Sequence, residues 1–143
     1  MASESRATTV WEGDLASGRG TTSAASGAIP DIEVTWAART ERTPGTTSPE
    51  ELLAAAHASC YCMALSHGLG EAGNAPERLE ATATVSFVAG EGVKSSRIEV
   101  RGRVPGVDQA GFEEAARGAG ENCPISLALK GNVEVSVEAT LEQ

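Results

Sequence analysis

The sequence predicts an α+β domain with a mainly antiparallel sheet, and three observations carry that reading. Residues 48–70 read as one long helix, with no Asp, Glu, Lys or Arg between Leu52 and Gly70. The runs from Leu79 to Phe87 and from Ile98 to Val104 alternate apolar and polar residues on either side of Gly90-Glu91-Gly92, as a hairpin does. A third alternating run, Val133 to Leu141, follows a second helical segment. Strands grouped around helices by hairpins, without regular crossovers, define the class.

Taken in order, Thr8 to Trp11 and Arg19 to Ser23 are short strands separated by a turn region from Gly13 to Gly18. Ile32 to Trp36 alternates, so Ile32, Val34 and Trp36 share one strand face, and the exit from that strand carries Arg39 and Arg42. A loop through Pro44, Gly45 and Thr47 leads to the long helix. Ser48 caps it, Pro49 suits its first position, and Glu51 completes a Ser-x-x-Glu capping box, while Gly68 and Gly70 mark its end. Small and apolar residues surround this helix instead of forming a stripe, which predicts burial on every side. His57, Ser59, Ser66 and His67 interrupt the run and acidic residues flank it, so it is not read as a membrane span. In the hairpin, Leu79, Ala81, Ala83, Val85 and Phe87 fall on one face, and Ile98, Val100 and Val104 face the core with Arg97, Glu99, Arg101 and Arg103 toward water. Asp108 caps the second helix, with Val107 and Phe112 spaced as a hydrophobic staple. Asn122-Cys123-Pro124 begins a further helical turn.

The length of 143 residues fits a single domain spanning 1–143. A helix buried all round is hard to cover in a chain with two Trp, two Phe and one Tyr, which predicts a partner subunit. A net charge of −9 argues against nucleic acid and anionic membrane surfaces as partners. The first ten residues contain no apolar core of a secretory signal, so a cytoplasmic location is expected. Three unevenly spaced cysteines do not make a secreted disulfide framework, and their reactivity becomes the property of interest.

Cys60 lies mid-helix and Cys123 precedes Pro124. Each is compatible with a small core residue. As the N-cap before Pro124, however, Cys123 faces unpaired backbone N–H groups that favour a thiolate. Cys60 needs a cation brought by tertiary structure, for which Arg39, Arg42 and Arg19 are candidates. Cys62 is turned about 200° from Cys60 around the helix and reads as packing. His57 and Cys60 share a helical face, but with Cys62 pointing away and no Cys-x-x-Cys knuckle, no metal site is expected. Glu51 has a capping task. Glu50 either complements the helix dipole or serves a site. Ten residues of helix set it about 15 Å from Cys60 along the axis, and an antiparallel second copy of the helix would bring Glu50 of one subunit to Cys60 of the other.

The run from Ser48 to Ser66 resembles the helix motif of the osmotically inducible protein C and organic hydroperoxide resistance proteins, and the run from Asn122 to Leu129 resembles their second cysteine motif. Trp11 to Asp14, Gly18 to Thr21 and Val104 to Asp108 extend the resemblance over nearly the whole chain, nearer the osmotically inducible branch. The resemblance implies an intertwined homodimer, with mainly antiparallel sheets wrapped around two long central helices and active sites at the interface. It implies a thiol-dependent peroxidase in which Cys60 attacks an organic hydroperoxide or hydrogen peroxide, Cys123 resolves the sulfenic acid, and Glu50 orients Arg39. An upstream match would put the arginine at Arg19 instead. The reductant implied is dihydrolipoamide or a similar dithiol, with no metal or organic cofactor. Cys62 departs from the usual motif. Helix position alone makes Cys123 the more acidic thiol, whereas the resemblance makes Cys60 the attacking one. The alternative function is a non-catalytic binding protein for a small apolar or thiol-reactive ligand, and a metal protein using His57, Cys60 and Cys123 is a second.

Overall fold

The computed structural model describes residues 2–142, which fall into two compact units meeting between Leu52 and Leu53. In the first, β1 (Ala7–Glu12), β2 (Arg19–Ala24) and β3 (Ile32–Val34) form an antiparallel sheet in that order. The β-branched threonines suit its surface, and the hydroxyls of the cross-strand pair Thr9 and Thr22 hydrogen-bond at 2.7 Å. The Asp14 carboxylate accepts from the Ser17 backbone N–H at 2.8 Å and its hydroxyl at 2.6 Å, tightening the β1–β2 turn.

The third strand is shorter than its alternation predicts. Thr35 leaves the sheet to cap α1 (Trp36–Glu41), its hydroxyl accepting from the Ala38 N–H at 3.0 Å. Five alternating residues are too few to exclude a helix start, so Trp36 and Arg39 lie on a helix and not on a strand and its exit. Arg42 then ends α1 in the left-handed region, with φ 55°.

The long helix α2 (Pro49–Glu71) begins as the sequence predicts, with the Ser48 hydroxyl accepting from the Glu51 N–H at 3.1 Å. Only half of the capping box forms, because the Glu51 carboxylate takes the Thr47 hydroxyl instead of reaching back. The expected burial on every side is not met within one chain. His57, Tyr61, Leu65 and Leu69, four residues apart, are buried, whereas Ala55, Ala56, Ser59, Ser66 and His67 are exposed and Met63 is 72% exposed. The uncharged composition is alike on both sides of α2, so it cannot distinguish the side this chain covers from the side it leaves open.

In the second unit, β4 (Arg78–Val88) pairs antiparallel with β5 (Gly92–Arg103), with a bulge at Ser86/Phe87. Ile98, Val100 and Val104 are buried and Arg97, Glu99, Arg101 and Arg103 exposed, as the alternation predicts. After β5 come α3 (Gln109–Asn122) and α4 (Pro124–Leu129), and β6 (Glu134–Leu141) returns parallel to β5. This crossover corrects the expectation of hairpins alone. Two helices supply the length that a parallel return needs, although the pairs remain mainly antiparallel. The Asp108 carboxylate caps α3 by accepting from the Gly111 N–H at 2.8 Å. The core joins Tyr61, Leu65 and Leu69 of α2 to Ile98 and Val100 of β5 and to Phe112, Ala116 and Ala119 of α3. Gly102 is what admits the Phe112 ring, since a Cβ there would stand 2.5 Å from its Cζ.

Candidate active site

Cys60 and Cys123, separated by 63 positions, are brought together with their sulfurs 3.0 Å apart. Cys60 is half-buried near the middle of α2, and Cys123 is fully buried where α3 ends and α4 begins. One residue serves both helices: the Cys123 N–H closes α3 on the Ala119 carbonyl at 2.9 Å, and its own carbonyl accepts from Leu127 at 3.0 Å. Pro124 holds the first position of α4, as the sequence predicts. A disulfide would require the sulfurs to close by about 1 Å.

The two thiols are electrostatically unequal. Burial pushes the Cys60 thiol above its ordinary value, and sharing a hydrogen with Cys123 pushes it further. At Cys123 burial also acts upward, but it is outweighed. Hydrogen bonding with Cys60 and the nearby Ser126 N–H, Ser126 hydroxyl and Ile125 N–H hold this thiol below its ordinary value. No side-chain hydrogen bond of capping geometry forms at Cys123, so the backbone's contribution is the pull of N–H dipoles on a polarisable sulfur. The two sulfurs titrate as a pair, with the negative charge favoured on Cys123.

His57 lies one turn before Cys60 and is 0% exposed. Its Nδ1 is 2.7 Å from the Ser96 hydroxyl and its Nε2 2.8 Å from the Ser126 hydroxyl. Burial holds its pKa below the usual value for histidine. Both ring nitrogens have serine partners, and among the described residues no group of three His, Cys, Asp or Glu is placed to share a metal ion. Neither serine was singled out from sequence. The available signal for Ser96 was its parity, since it falls on the same face of β5 as Ile98 and Val100 and a buried hydroxyl needs a partner.

The first unit contains the other predicted pair. Arg39 Nε donates to the Glu50 carboxylate oxygens at 2.9 and 3.1 Å and Nη2 donates to Oε2 at 2.8 Å, a bidentate clasp. Glu50 is 7% exposed, and the Arg39 guanidinium lies 5.7 Å from the centre of the Trp36 ring on the same short helix. Arg19 makes a different and looser contact, with Glu33 at 3.3 Å on the exposed face of the small sheet. Cys62 is half-buried, and burial raises its thiol pKa.

Residues 42–138 match the OsmC-like protein family. The chain is 38% identical over 131 residues to the peroxiredoxin OsmC of Escherichia coli (strain K12), covering 90% of this chain and 91% of that protein. It is 29% identical over 110 residues to the organic hydroperoxide resistance protein OhrA of Bacillus subtilis (strain 168), covering 76% and 77% of the two chains. The crystal structure of the organic hydroperoxide resistance protein OhrB of Bacillus subtilis superposes with a TM-score of 0.69 at 27% identity, covering 94% of this chain and 98% of that one. With a match over two thirds of its length and a relative alike nearly end to end, the chain belongs to the OsmC-like family.

Proposed function

We propose that the protein is a cysteine-based, thiol-dependent peroxidase that reduces organic hydroperoxides, and hydrogen peroxide as well, as a homodimer in the cytoplasm. The observation that carries this reading is the 3.0 Å approach of the Cys60 and Cys123 sulfurs in a chain of this family. The Cys60 thiolate attacks one peroxide oxygen. An S–O bond forms, the O–O bond breaks, and the departing alkoxide takes a proton to leave as the alcohol. Cys123 then attacks the sulfenic sulfur, the S–S bond forms, and hydroxide leaves as water after gaining a proton. A small dithiol such as dihydrolipoamide returns both cysteines to thiols by exchange.

Within one chain the Cys60 thiol is the harder of the two to ionise. The reading therefore gives Arg39, held by Glu50, the task of stabilising the Cys60 thiolate of a second copy and the charge on the leaving oxygen. A second copy packed on the open, uncharged side of α2 also explains why that side carries no charge. Among the described residues no helix is long and apolar enough to cross a membrane.

The test is peroxide consumption with dihydrolipoamide, comparing an alkyl hydroperoxide with hydrogen peroxide. Sulfenic acid is then trapped in Cys60→Ser and Cys123→Ser proteins after one equivalent of peroxide. The expected result is turnover by the wild type and trapping only when Cys60 is present. Trapping in Cys60→Ser protein alone reverses the two roles, and no consumption with any dithiol favours a binding protein.

A further inference from the structure

His57 is a fully buried ionisable ring to which the proposed cycle gives no task. Burial disfavours its charged form, so near neutral pH the ring is neutral and carries one N–H and one lone pair. The two serines must therefore play opposite parts. One donates to the ring and the other accepts from it.

Ser126 has a second neighbour. It is three residues beyond Cys123, in the first turn of α4, and its hydroxyl is among the groups that favour the Cys123 thiolate. If His57 carries its hydrogen on Nε2, the Ser126 oxygen accepts it and the Ser126 O–H is left to donate to that sulfur. If the hydrogen is on Nδ1, the Ser126 O–H is spent on Nε2, and its oxygen can only accept from a Cys123 S–H. Only the Nε2–H arrangement therefore lets Ser126 donate to an ionised Cys123.

We propose that His57 is a positioning residue for Cys123: with Nδ1 accepting from Ser96, its Nε2–H donates to Ser126 and turns the Ser126 hydroxyl onto the Cys123 sulfur. The remaining neighbours acting on that sulfur are Cys60 and the N–H groups of Ser126 and Ile125, while the nearby Tyr61 hydroxyl donates to the Ala116 carbonyl at 2.9 Å. Tyr61 keeps its proton across the working range, its pKa being raised by burial. The consequence for turnover, a resolving cysteine held ready as a thiolate, rests on the peroxidase reading. The donor chain itself does not.

Two measurements on the reduced full-length protein test it. Nitrogen-15 NMR of the histidine rings reads the tautomer directly, with His67→Gln protein assigning the two residues. The expected result is Nε2–H on His57 while Cys123 is ionised. The Cys123 titration, read from the carbon-13 shift of its Cβ, is expected to move up by about one pH unit in Ser126→Ala and His57→Phe proteins. It should return toward the wild-type value in His57→Gln, whose amide both donates and accepts. A His57 that is Nδ1–H throughout, or a His57→Phe titration equal to the wild type, overturns the proposal. Because the tautomer is read on wild-type protein, poor folding of a variant does not rescue it. Absence of peroxide turnover with the expected tautomer and titration would refute the peroxidase reading alone, and normal turnover with the wrong tautomer would refute this one alone.

Discussion

Replacing Glu50 with Gln separates the shape of the Arg39 clasp from its charge. Three donor contacts of 2.8 to 3.1 Å converge on one carboxylate. Hydrogen bonds to a charged group are worth about 1.5–3 kcal/mol against about 1 for a neutral one. The amide keeps one acceptor and turns an NH2 group toward a guanidinium donor. Arg39 retains partial access to water, its side chain being 29% exposed, which moderates the loss. We expect Glu50→Gln to destabilise the fold by about 2 kcal/mol, seen as a lower urea midpoint at unchanged slope. If the clasp also holds Arg39 in its working position, the second-order rate constant for an alkyl hydroperoxide falls by roughly 30-fold, the same energy expressed in the barrier. A cycle with Arg39→Ala isolates the pair. Glu50→Gln should cost much less in the Arg39→Ala background than in the wild type, by a coupling of about 1–2 kcal/mol. Equal cost in both backgrounds, or full stability and activity in Glu50→Gln protein, refutes the reasoning.

Other consequences follow from packing and titration. Gly102→Ala drives a methyl group into the Phe112 ring and should destabilise by about 1–3 kcal/mol, lowering the midpoint of thermal unfolding followed by circular dichroism. Phe112→Ala empties a fully buried site and should cost about 3–5 kcal/mol in the same assay. Because the folded-state pKa of His57 is lowered, its contribution to stability is complete above the unfolded value near 6.5 and is lost as pH falls below it toward the folded value. Urea unfolding of wild-type and His57→Gln proteins at pH 8 and pH 5 should show a smaller acid loss in the variant, and equal losses would contradict this. Cys62→Ala should leave peroxide consumption unchanged, since Cys62 stands outside the sulfur pair, and a large loss of activity would give that thiol a role.

Much of the candidate site was legible because its cues are local. Cys123 next to Pro124 announces a helix start at a sulfur, and α4 begins there, although Cys60 lowers the thiol pKa more than the helix N–H groups do. The Arg39 partner of Glu50 was legible by resemblance, but not the element that presents it. The short run around Trp36 fits a strand and a helical turn equally well, and Thr35 decides the matter by capping. The His57 network was hidden for a different reason. Ser96 and Ser126 are ordinary residues in their own segments, and only the approach of β5 and α4 to α2 makes them partners of one ring.

By itself the sequence determined what acts within a few residues: the caps at Ser48 and Asp108, the strand faces around Ile98 and Val135, the length of α2 and its missing charges. Tertiary structure decided which distant surfaces meet. It set Cys60 against Cys123, returned β6 parallel to β5, and covered the side of α2 bearing His57 and Tyr61 while leaving that of Met63 open. Capping and periodicity are encoded by neighbours along the chain. Pairing across 63 residues depends on how whole faces pack, and alanine, serine and cysteine look alike on every face until one of them is covered.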